Sequence, residues 1–135
     1  MTNSVKNSCF YAQLIFFCRC NVANLVKKAF DEAEIQCEQN YTIAPELDLQ
    51  IHNSVDPSKK PKKNDSPIFI VYPPMQLKFI LVELFKNAMR ATIETKGTFN
   101  VPPIQVLVAK GKTDVTIKIS DEVICLLNSW LYFNT

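Results

Sequence analysis

The stretch Ile80-Leu-Val-Glu-Leu-Phe-Lys-Asn-Ala-Met-Arg-Ala-Thr92 decides how this chain is read. It contains no Gly or Pro and is dominated by Leu, Ala, Met, Glu and Lys, strong helix formers, so it predicts a helix. At about 100° per residue, Glu83, Asn87 and Arg90 fall within roughly 60° of one another. Leu81, Leu84, Phe85, Ala88 and Ala91 fill the opposite arc. An acid, a carboxamide and a guanidinium therefore line the polar edge of a mostly apolar helix. On spacing alone, such a stripe is the solvated face of an amphipathic helix. The same three groups also suit a phosphate and metal site. The Asn87 oxygen is a hard ligand of the kind Mg2+ accepts. The Glu83 carboxylate one turn away is a candidate general base, and Arg90 can pair with phosphate oxygens.

Outward from this stretch, Pro73-Pro74 sets a helix start near Met75, and Gly97 is the C-cap of a helix running to about Thr95. Ile104–Ala109 and Val115–Ser120 read as strands joined by Lys110-Gly-Lys-Thr-Asp114, with Val115, Ile117 and Ile119 turned inward. Lys110-Gly-Lys-Thr113 resembles the tail of a Walker A loop, but the first glycine of that motif is missing and no helix follows, so it is a turn. On the other side, Glu46–Ile51 alternates as a half-buried strand and Pro67–Tyr72 is a continuous apolar run, read as a buried strand. The lysine-rich loop Asp56–Ser66 lies between them, so the two strands are expected to pair as a hairpin with a solvated tip. Asn21–Asn40 reads as a helix capped by Asn21 or Asn24, its apolar face turned to the core.

Composition narrows the function further. A chain of 135 residues with 47% hydrophobic content makes one domain with a modest core. A net charge of +2, with no Arg-rich aromatic face, gives no reason to expect nucleic acid. The apolar run Phe10–Cys18 is too short to span a bilayer. Five cysteines without paired spacing read as idle thiols in a reducing compartment, and the single histidine, His52, rules out a His-rich metal site within this chain.

Glu83-Leu-Phe-Lys-Asn-Ala-Met-Arg-Ala-Thr92 resembles the N-box of the mitochondrial 2-oxoacid dehydrogenase kinases, the pyruvate and branched-chain family within the Bergerat-type ATPases. Asp114-Val-Thr-Ile-Lys-Ile-Ser-Asp121 resembles the strand ending in that family's adenine-reading aspartate. The resemblance covers about Cys20 to Asp121. It implies an α+β fold: a partial α/β sandwich, helices on one face of a mixed, largely antiparallel sheet. It divides the chain into an unassigned segment 1–19, a partial histidine-kinase-like ATP-binding domain 20–121, and a divergent tail 122–135.

By the same resemblance, Asn87 would hold Mg2+, Lys86 and Arg90 would lie along ATP, Asp121 would accept the adenine amino hydrogen, and Glu83 would be the catalytic base. The implied activity is ATP-dependent phosphorylation of a serine on the E1 subunit in the mitochondrial matrix. In the family, the E2 lipoyl domain is a further partner, and the dimer contacts lie in parts not matched here. Three departures stand beside the match. Phe79 replaces the histidine that pyruvate dehydrogenase kinases carry one turn before the glutamate. Glu122-Val-Ile-Cys-Leu-Leu127 replaces a glycine-rich turn. The lid and second glycine-rich motif find no counterpart. The alternative expectation is thus a truncated, non-catalytic fragment with weak or no nucleotide binding. A third is an interaction protein using the apolar tail Val123–Phe133.

Overall fold

The computed structural model describes residues 17–53, 58–63, 65–121 and 129–134. The readings of residues 1–16, of part of the lysine loop and of Glu122–Asn128 lie outside these. The elements run β1 (Cys18–Asn21), α1 (Val22–Tyr41), β2 (Leu47–His52), β3 (Phe69–Tyr72), α2 (Pro74–Lys96), β4 (Ile104–Lys110), β5 (Asp114–Ser120) and β6 (Ser129–Asn134).

Both helices end where their terminal residues dictate. The Asn21 side chain accepts from the Asn24 backbone N–H at 3.3 Å, so Asn21 is the N-cap of α1. Pro74 opens α2, where its missing N–H costs nothing. Gly97, at φ 76°, closes α2 and donates its N–H to the Ile93 carbonyl at 2.8 Å. One buried polar residue interrupts the apolar face of α2. Thr92 satisfies its hydroxyl by donating to the Ala88 carbonyl at 2.8 Å.

The main sheet has the order β2-β4-β5-β6, with β2 parallel to β4 and the other pairs antiparallel. Its register lines up one apolar face. Leu49, Val106 and Ile119 stand in one row, and Ile51, Val108, Ile117 and Leu131 in the next. That face joins Val26, Phe30, Leu81, Phe85 and Met89 of the two helices in a single core. The opposite face carries Asp48, Gln50, Gln105 and Lys118. This is the α+β architecture expected: helices packed on one side of a mixed sheet. Gly111 makes the expected turn, donating to the Asp114 carbonyl at 2.8 Å. A Cβ there would collide with the Asp114 carboxylate.

The expected hairpin between the strands flanking the lysine loop is not formed. β2 pairs with β4, and β3 pairs antiparallel with β1 in a separate two-stranded ribbon. The free edge of β2 is taken by the lysine loop itself. Ile51 and Lys62 exchange backbone hydrogen bonds of 2.8 and 2.9 Å, and Lys63 pairs with Asp48 at 3.5 Å. Nor is β3 buried on both faces. Ile70 points inward while Phe69 and Val71 are exposed, as befits a ribbon laid on the edge of the core. β6 falls within the stretch set apart as a divergent tail and is the fourth strand of the sheet.

Phe85 is fully buried and meets Phe30 of α1 edge to face at 5.3 Å between ring centres. Phe85→Ala is expected to destabilise the chain by about 3–5 kcal/mol, read by urea unfolding, because the cavity opens between the two helices. A loss under about 1 kcal/mol would show that this contact does not hold the two helices together.

Candidate functional site

The polar stripe of α2 does not face open solvent alone. It forms one wall of a groove of about 340 Å3 whose other wall is the C-terminal half of α1. Glu83, Lys86, Asn87 and Arg90 line it from α2; Gln36, Cys37, Asn40 and Tyr41 line it from α1. The groove therefore gathers four of the five residues expected at the site. Asp121 stands one residue past β5, half-buried and outside this lining, beside the start of β4 through the Ser120–Gln105 pairing.

Each cation in the groove is paired with a carboxylate of its own helix. Lys86 Nζ lies 3.1 Å from Glu83 Oε1, and Arg90 Nε donates to Glu94 Oε1 at 2.9 Å. The Tyr41 hydroxyl donates to the same Glu94 oxygen at 3.1 Å, tying the end of α1 to α2. The Arg90 guanidinium and, after it, the Tyr41 hydroxyl hold the Glu94 carboxyl below the usual range. The Arg90 guanidinium is correspondingly raised, chiefly by its bond to Glu94. Desolvation and then the bond to Glu94 push the Tyr41 phenol up, so it stays a donor at neutral pH. Cys37 is inert by the same logic. Burial, reinforced by Glu38 and Glu34, raises its thiol, which bonds to the Ile43 carbonyl.

This donor set fits a cation that arrives with its own oxygens. Among the described residues no group of three or more His, Cys, Asp or Glu side chains is placed to hold a metal ion. A dedicated metal cage is absent there, but Mg2+ commonly takes one or two protein oxygens together with water and phosphate. The exposed Asn87 carboxamide, with Glu83 across one helical turn, meets that requirement. The cation pairs are exposed, and such pairs contribute little, so a polyphosphate can draw Lys86 and Arg90 away at small cost.

Two contributions escaped the reading of the sequence. The apolar face of α1 gives Cys37 to the core, and the polar pair Gln36 and Asn40, one turn apart, carries no site signal of its own. Glu94 partners Tyr41 across 53 residues, a contact that carries no local signal.

Relatives name the family. The chain is 45% identical over 103 residues to the mitochondrial pyruvate dehydrogenase (acetyl-transferring) kinase of Ascaris suum. It is 45% identical over 104 residues to isozyme 3 of that kinase from Homo sapiens, and 41% identical over 106 residues to the Drosophila melanogaster kinase. Each match covers 76% of this chain. This chain belongs to the pyruvate dehydrogenase kinase family. It spans 24% of the length of these kinases. No family model matches it. Among solved structures it is similar to the nucleotide-free catalytic domain of the histidine kinase ThkA, at 14% identity and a TM-score of 0.48, covering 76% of this chain and 56% of that one. The kinase-family assignment thus rests on sequence identity, while the groove rests on this chain's own geometry. No described helix is long and apolar enough to cross a membrane.

The Glu94 contact has a measurable consequence. A carboxyl held low in the folded chain adds stability in full above the ordinary carboxylate range and loses it as pH falls through the depressed value. The Glu94 side chain is expected to titrate below an ordinary glutamate in an NMR pH series, and Arg90→Ala should move its midpoint upward. An ordinary midpoint in the parent chain would mean that the contact does not persist in solution.

Proposed function

We propose that this stretch is the nucleotide-binding part of an ATP-dependent protein kinase that phosphorylates a serine on the E1 subunit of a mitochondrial 2-oxoacid dehydrogenase complex, acting in the matrix. The observation that carries this reading is the convergence of Glu83, Lys86, Asn87 and Arg90 on one groove between two helices.

The residues divide the work as phosphoryl transfer requires. Asn87 would hold the Mg2+ of the nucleotide through its side-chain oxygen. Lys86 and Arg90 exchange their carboxylate partners for phosphate oxygens. When bound, Mg2+ would supply charge neutralisation at the phosphates. Glu83 orients the serine hydroxyl and takes its proton while the oxygen bonds to phosphorus and ADP departs. Asp121, at the end of β5, accepts from the adenine amino group. Tyr41 and Glu94 hold the arginine end of the groove to α1. Most of the catalysis asked of these groups is positioning and charge neutralisation.

The second reading is a non-catalytic fragment with weak or no nucleotide binding. It is favoured by Glu122-Val-Ile-Cys-Leu-Leu127, which stands where a glycine-rich turn would bring backbone beside the adenine.

Calorimetry with Mg-ATP separates the two. Binding is expected in the parent and at least about tenfold weaker in Asn87→Ala, the scale of losing one charge-assisted ligand. Glu83→Gln is expected to keep binding and lose transfer to an E1 subunit. A folded parent chain that binds no Mg-ATP would remove the kinase reading and leave the non-catalytic fragment. Transfer surviving in Glu83→Gln would remove Glu83 as the base.

A further inference from the structure

A second cavity, of about 280 Å3, adjoins the groove and shares Gln36 and Glu83 with it. Its chemistry is different. Phe79 and Met75 line it and are 68% and 38% exposed, on a helix that otherwise buries its large apolar side chains. Beside Glu83, the charged groups at this cavity are Lys78 and Glu32, which cancel one another in a 2.7 Å ion pair that links α2 to α1. What remains for recognition is the apolar surface. It continues past Phe79 along Gln76 and Ile80, away from Glu83.

Glu83 thus stands where a polar groove and an apolar cavity meet. A base in phosphoryl transfer needs this placement, with the nucleotide on one side and the acceptor hydroxyl on the other. We propose that the second cavity receives the phosphoacceptor segment, a polypeptide carrying a large apolar side chain next to its serine. The apolar side chain packs on Phe79 and Met75, and the serine hydroxyl is then delivered to Glu83. The cavity is sized for a short segment rather than a folded surface. Exposed Phe79 is the specificity-determining residue, since removing it strips the cavity of its largest apolar wall. This inference rests on the kinase reading above, because it takes Glu83 as the base.

The test uses the whole chain and two labelled serine peptides, alike except that one has Leu and the other Gly beside the serine. Fluorescence anisotropy reads peptide binding, and calorimetry reads Mg-ATP binding separately. The Leu peptide is expected to bind about tenfold more tightly than the Gly peptide, the scale of burying one aliphatic side chain. Phe79→Ala should erase that preference and Phe79→Leu keep most of it, both with Mg-ATP binding unchanged. Because Phe79 is exposed, neither substitution removes core packing. Equal binding of the two peptides, or a preference untouched by Phe79→Ala, overturns the proposal. So does a concentration-dependent self-association that Phe79→Ala abolishes while the peptides bind alike, since the surface would then be a contact between copies of this chain. A Phe79-dependent preference in a chain that binds no Mg-ATP supports the peptide site while removing the nucleotide reading.

Discussion

The packing of α1 on α2 is the contact the rest of the molecule depends on. Among the described residues these two helices pack closely along one another. Phe30 and Phe85 meet at its centre, and the small residues Ala29, Ala33 and Ala88 are buried around them. Below this layer the helices cover the apolar rows of the sheet. Above it, the polar edges of both helices are left facing each other, and the groove is the space between them. The amphipathic pattern that buries Leu81 and Phe85 is therefore the same pattern that presents Glu83, Asn87 and Arg90. The core and the candidate site are two sides of one helix, held in register by one interface.

Charge is arranged within the groove so that its cations are held but not locked. Lys86 and Arg90 rest on neighbouring carboxylates in exposed pairs that salt and a competing polyphosphate both weaken. At the Arg90 end the Tyr41 hydroxyl ties the Glu94 carboxylate to the other helix. Phe79, one turn from Glu83, gives the neighbouring cavity an apolar character. The two cavities that meet at Glu83 therefore differ in chemistry.

Sequence patterns revealed elements more readily than their neighbours. α2 was legible because propensity, the Pro73-Pro74 break and Gly97 agreed. The β4–β5 hairpin was legible because strict alternation and a short glycine turn fix both face and partner. For β2 the period of two showed which side chains point inward, but not which strand lies alongside. Proximity in sequence suggested β3, whereas a shared apolar row with β4 decided the pairing. β1 is four residues of mixed character, too short to show a period. In the site, the α2 stripe could be read from spacing, while the α1 wall and the Tyr41–Glu94 contact arise only when the helices meet.

The central claim is that the groove between α1 and α2 receives the phosphates of Mg-ATP. Backbone amide shifts on titration with Mg-ATP test it most directly. The account predicts saturable shifts on both walls, at Gln36, Cys37 and Asn40 of α1 and at Lys86, Asn87 and Arg90 of α2. Shifts that bypass both helices, or no saturable shifts in a folded chain, would contradict it.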